Sequence, residues 1–259
     1  LRALALRYTT GRSPAMDTTS LERATLNVIT RVRRGKPDPL TSVVLTTPVF
    51  LTYHIGILWS TKRNGADWVS DLTLQLLHSS VEAYVIVTLA AALGLVLSVW
   101  VLRKTGKVQP TELLPIVVES AAWAFVMLVS IGWAVQRVAP ALATPLAYGP
   151  IEKVVMAAGA GFHEEVMFRF LMLSGGALVL RRVLSVPPIR AWVAAALVSS
   201  VVFAFVHHVG ANGEGITLTA LAFRTLAGLF LAVLYGARGF AVAVYTHALY
   251  DMLVFFVLS

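Results

Sequence analysis

The chain has 259 residues, of which 58% are hydrophobic and only 13% charged, with a mean hydropathy of +0.78 and a formal net charge of +8. A soluble domain of this length carries about 25% charged residues and must still cover its surface with polar groups, so the composition excludes an ordinary water-soluble fold. The basic excess sits in the N-terminal arm and in short loops, as in cytoplasmic loops of membrane proteins and not as at a nucleic-acid interface; the absence of cysteine excludes disulfides and thiolate chemistry.

Residues 1–40 contain Arg2, Arg7, Arg12, Arg23, Arg31, Arg33, Arg34 and Lys36 but no apolar run of spanning length. They are expected to form a basic cytoplasmic arm. No cleavable apolar core follows the first basic residues, so the arm does not read as a signal peptide. A span needs roughly 20 predominantly apolar residues. The stretches 43–59, 81–102, 113–135, 151–180, 191–208, 216–235 and 240–258 qualify. The first is short and interrupted by Pro48, which suits a tilted or re-entrant segment. Between the first two, 67–78 has the amphipathic pattern of an interfacial helix.

Pro140, Pro145, Gly149 and Pro150 divide the chain into N-terminal membrane helices over 41–148 and a second bundle over 149–259. The expected fold class is all-α, a polytopic transmembrane helix bundle of about seven spans, with its chemistry in the C-terminal four helices. Arg103, Lys104, Lys107, Arg181, Arg182, Arg190 and Arg238 would share the side of the arm. The opposite loops hold Lys62, Arg63 and Arg137, partly offset by Asp67, Asp71 and Glu214. That asymmetry places the N-terminus in the cytoplasm and the C-terminus outside.

Ionisable residues within the spans are the functional signal. The fourth stretch contains Gly161-Phe-His-Glu-Glu-Val-Met-Phe-Arg169. Each charge at mid-membrane costs on the order of 2.5–3.5 kcal/mol. Glu165 and Arg169 are spaced for an ion pair along a helix, acid before base. Glu164, about 100° away on an α-helix, is left free by that pairing. A structural ion-pair cluster or a transport path would explain this segment as well as a catalytic site would. The next stretch ends in Phe203-Ala-Phe-Val-His207-His208, and the last carries His247 and Asp251 one helical turn apart. Measured from the cytoplasmic ends, Glu164 and His207 lie at a depth of about 24 Å, Asp251 at about 18 Å and His247 at about 12 Å. Three helices that place titratable groups in one membrane layer read as a site.

Glu164-Glu165-x-x-x-Arg169, Phe203-x-x-x-His207 and His247-x-x-x-Asp251, in that order on separate hydrophobic helices, resemble the three motifs of the CAAX prenyl protease and bacteriocin-processing (CPBP) family. The resemblance covers 149–259. It implies a glutamate-dependent intramembrane endopeptidase in a bacterial cytoplasmic membrane, its catalytic core in the C-terminal four helices. Its substrate would be a membrane-associated peptide or protein. Phe170 stands where a glycine often follows the arginine, which would narrow the site. Asp251 stands where the prenyl-protease branch has asparagine.

Peptide hydrolysis needs an activated water, a stabiliser for the oxyanion and a proton for the leaving amine. Glu164 is the expected base. His207 would hold the same water or protonate the leaving nitrogen, and His247 would face the oxyanion. Asp251 would orient the His247 ring or bind substrate backbone, with Glu165, Arg169 and Phe203 in support. No cofactor is expected. Zinc is the nearest rival, because His207, His247 and a carboxylate form a conceivable ligand set. The usual zinc-protease helix is absent, since Met167 stands where its second histidine belongs. His163 and His208 should turn away from the cavity, each one helical step from a site residue. A transporter or channel using these groups, with Arg224 and Glu119, as an ion or proton relay is the alternative from another class. No repeat relates the two halves, which argues against it.

Overall fold

A computed structural model of the chain describes residues 35–58, 81–108, 110–138, 149–208 and 216–257. The arm through Arg34, the stretch 67–78 with Lys62 and Arg63, Pro140, Pro145 and Glu214 lie outside the described residues, as does the Arg137 side chain. Among the described residues there are seven helices and no strand. These are α1 (Pro39–Gly56), α2 (Val81–Leu102), α3 (Leu113–Val138), α4, α5 (Pro188–Val206), α6 (Leu218–Arg238) and α7 (Phe240–Val257). Helix α4 runs without a break through Pro150–Gly159, a π-helical stretch Ala160–Gly175 and Gly176–Arg182. The backbone at both junctions, Ala160 and Gly176, stays right-handed helical.

Local chemistry explains the ends. Asp38 caps α1 by accepting the Leu40 N–H at 2.8 Å, and Pro39 occupies a first-turn position where no N–H is needed. Inside α1, Pro48 removes one backbone donor. The hydroxyls of Thr46, Thr47 and Thr52 bond back to carbonyls of the preceding turn, so these three do not face lipid bare. Gly149 donates its N–H to the Glu152 carboxylate at the start of α4. Between α6 and α7 the chain turns on the single residue Gly239, whose φ of 91° a side chain would strain.

Among the described residues, four helical stretches are long and apolar enough to cross a membrane: Leu113–Gly132, Pro188–Val206, Leu218–Arg238 and Phe240–Val257. Thr88–Leu102 is a shorter apolar stretch. The outward faces carry large apolar residues, such as Leu93 and Trp100 on α2, Phe125 on α3 and Phe205 on α5, while charge is drawn inside. That inversion of a soluble surface marks a helical membrane bundle. Helix α7 is the central element. Its residues Ala241, Val242, Ala243 and Val244 are fully buried. One core cluster joins α1, α4 and α7 through Phe50, Tyr53, Phe162 and Val244. A second joins α3, α4, α5, α6 and α7 through Met127, Phe168, Phe203, Leu231 and Tyr250.

Candidate active site

The π-helical stretch of α4 carries Glu164, Glu165 and Arg169, all at most 1% exposed. In a π-helix each N–H reaches the carbonyl five residues back, so the helix is wider and turns less per residue than an α-helix. The step between neighbours narrows only slightly from the roughly 100° of an α-helix, and Glu164 and Glu165 converge on one ring from its two sides, at Nε2 and Nδ1 of His247. The close approach of α7 is possible because Gly161 has no side chain. A Cβ there would meet the Ala248 backbone nitrogen at 2.8 Å.

Glu165 is held from two sides. Arg169 Nη1 lies 3.2 Å from its Oε1, the expected one-turn pairing, and His247 Nδ1 lies 2.8 Å from the same oxygen. A carboxylate only accepts, so the bonded proton of that contact belongs to the ring. Arg169 also donates to the Gly228 carbonyl on α6 at 3.3 Å and stacks over the Phe203 ring at 4.7 Å. Phe203 thus backs the arginine. It also meets the rings of Phe168, His207 and His247 edge-on.

Glu164 is different. It is buried, and neither of its carboxylate oxygens has a hydrogen-bond partner. Its Oε1 stands 3.6 Å from His207 Nε2 and its Oε2 stands 3.7 Å from His247 Nε2. Asp251 Oδ2 lies 3.8 Å from the same His247 nitrogen. These separations are too long for direct hydrogen bonds, and a water seated beside the groups could bond to both. The tautomer of neutral His207 follows from its other nitrogen. Nδ1 lies 2.7 Å from the Phe203 carbonyl and must carry the proton, so Nε2 offers a lone pair toward Glu164.

The four principal residues expected to share a site come together, on α4, at the end of α5 and on α7. The depth estimate, which set His247 about 12 Å from Glu164, assumed that the helices start in one plane. They are staggered instead. The His247 ring is oriented by Glu165 at Nδ1, which leaves Asp251 on the Nε2 side toward Glu164. Phe170 is 58% exposed and points away from the site, so it does not narrow it. His163 turns from the cavity as expected and bonds His54 on α1 and the Gly159 carbonyl. His208 is buried next to His207.

Glu119 belongs to neither the motifs nor the site. Both its oxygens pair with Arg238, at 2.5 and 2.7 Å, and Trp123 donates to it from one turn on. Arg224, in contrast, falls in the site's layer. Gly228 faces Ser200 and Phe203 on the antiparallel α5, and one turn toward the connecting loop brings Arg224 level with His207. Among the described residues no three His, Asp or Glu side chains are grouped as a metal ion requires. Zinc would need three such donors near 2.0–2.2 Å from one point.

Residues 147–253, which contain the whole constellation, match the family model described as Type II CAAX prenyl endopeptidase Rce1-like. Over that segment, rather less than half of the chain, it is similar to the CAAX protease family. No curated protein and no solved structure matches it. The family's description is of an endopeptidase, and the long apolar helices among the described residues support an integral membrane protein. Helices α1, α2 and α3 lie outside the matched segment, so the family match leaves their part in the site undefined.

Proposed function

We propose that the protein hydrolyses a peptide bond of a membrane-associated protein or peptide with water activated by Glu164. The observation that carries this reading is the buried Glu164 carboxylate, without a hydrogen-bond partner and facing two imidazole nitrogens across gaps of 3.6 and 3.7 Å. Water held beside Glu164 and His207 Nε2 loses its proton to Glu164 as its oxygen attacks the substrate carbonyl. The negative charge that develops on the carbonyl oxygen is met by the Nε2–H of a doubly protonated His247, whose Nδ1–H is held by Glu165. Glu164 then returns its proton to the departing amine as the C–N bond breaks. Asp251 accepts a backbone N–H of the substrate. Glu165 and Arg169 supply the rigid support that keeps His247 and the π-helical stretch in register.

The substrate enters from the membrane, and its class follows the family's printed name, a prenyl-anchored or otherwise lipid-embedded peptide. The N-terminus lies in the cytoplasm of a bacterial cell, as the basic loops suggest. The scheme assigns every proton without a metal. Cleavage by detergent-purified protein after exhaustive chelation should be unchanged. Activity lost to the chelator and restored by stoichiometric zinc would replace the metal-free scheme while keeping the residues. The substrate itself is found by mass spectrometry of membrane peptides from cells carrying wild-type protein or Glu164→Ala. Fragments present only with wild type support the endopeptidase, and identical peptide sets reject it.

A further inference from the structure

Against α4, one helical step round from Glu164, stands α1, outside the segment that matches the protease family. Its contact with α4 is built from specific polar and aromatic groups. His163, the residue before Glu164, has Nδ1 3.0 Å from the Gly159 carbonyl and Nε2 3.2 Å from His54 Nε2. His54 Nδ1 lies 3.4 Å from the Thr88 hydroxyl on α2. With neutral rings the proton positions follow in sequence. A carbonyl only accepts, so His163 carries its proton on Nδ1 and accepts at Nε2. His54 must then donate from Nε2, and its Nδ1 accepts from Thr88.

Tyr53, 1% exposed, stacks edge-on against His163 at 4.7 Å between centroids. It also fills the space a side chain on Gly159 would need, for a Cβ there would meet the Tyr53 ring at 2.4 Å. Two residues further along α4, Gly161 is pressed against Ala248, the neighbour of His247. The start of the π-helical stretch is thus gripped between α1 and α7 at two glycines.

We infer that α1 positions the catalytic helix, with the His54 to His163 hydrogen bond and the Tyr53 to Gly159 contact holding Glu164 at its working distance from His207 and His247. This rests on the endopeptidase reading for its kinetic arm. Neither His54 nor His163 touches the reacting atoms, and the chain of bonds ends on a backbone carbonyl, so the pair positions and does not relay protons.

The test uses the full chain labelled with 15N-histidine in detergent, its six histidines assigned by single substitutions. His54→Ala should shift the ring signals of His163 and His247 while leaving helix content unchanged. It should lower kcat about 10- to 100-fold, the scale of a misplacement on the order of 1 Å, with KM unchanged. His54→Gln, whose amide can donate to the same His163 nitrogen, should restore most of both readouts. Unmoved His247 signals in His54→Ala, a KM effect without a kcat effect, or glutamine no better than alanine would each overturn the inference. A wild-type protein that cleaves nothing rejects the endopeptidase reading and leaves the ring signals to decide this one.

Discussion

Among the described residues, two places put an acid and an arginine inside apolar helices, and they are built differently. Between α3 and α6, Glu119 meets Arg238 with both carboxylate oxygens and takes a third bond from Trp123. Every acceptor is used, and the pair ties two helices together. At the core of α4, Arg169 is committed to Glu165 and to a backbone carbonyl, and the neighbouring Glu164 is buried with no hydrogen bond at all. Burying a carboxylate without partners costs free energy that packing elsewhere must offset. A satisfied pair needs no role beyond holding the fold. An unsatisfied carboxylate beside two imidazoles is costly as architecture and suited to taking a proton from a bound reactant.

Substitutions can break this contrast. The largest effect on the protein itself is expected for Arg169→Ala, which leaves Glu165 buried with a lost partner. Breaking a buried pair from one side costs about 3–5 kcal/mol, so thermal unfolding of the purified variant should show a large loss of stability along with loss of activity. Arg169→Ala combined with Glu165→Gln should recover part of that stability, because the orphaned charge is gone. A smaller effect is expected for Gly161→Ala. The added methyl meets Ala248 at 2.7 Å, and forcing α4 and α7 apart costs roughly 1–3 kcal/mol and should lower kcat more than it raises KM. The smallest is Glu119→Gln. That pair is a quarter to a third exposed, its loss should cost about 1 kcal/mol or less, and turnover should be unaffected. Loss of turnover in Glu119→Gln with the fold intact would bring the relay reading back.

Much of the helical framework could be read in the chain, because hydropathy measures the same property that sorts residues between lipid and loop. Helix α2 spans Val81–Leu102, as the apolar run does, and the other helices begin or end within a few residues of theirs. The motif residues were legible for a related reason. Glu164, Glu165, Arg169, His207, His247 and Asp251 are ionisable groups in apolar runs, where each carries a cost. What escaped depends on three dimensions. The convergence of Glu164 and Glu165 on the two sides of the His247 ring leaves no trace in a helical wheel of α4 alone. The stagger of the helices brings His247 to Glu164 in spite of an unequal count from the loops. His54 lies 109 residues from His163, and a lone histidine in an apolar helix reads as packing until its partner is seen. Phe170 misled for the same reason, since a motif position does not say which way a side chain points.

The central claim is that Glu164 is the base, and Glu164→Gln tests it most directly. The amide keeps the size of the side chain and relieves an unpaired buried carboxylate, so the purified variant should fold at least as well as wild type. It cannot take a proton from water, and turnover of a substrate peptide identified from the membrane peptidome should fall by about 10²–10⁴-fold, the usual contribution of a general base. A stable Glu164→Gln protein that cleaves this peptide at the wild-type rate would contradict the account.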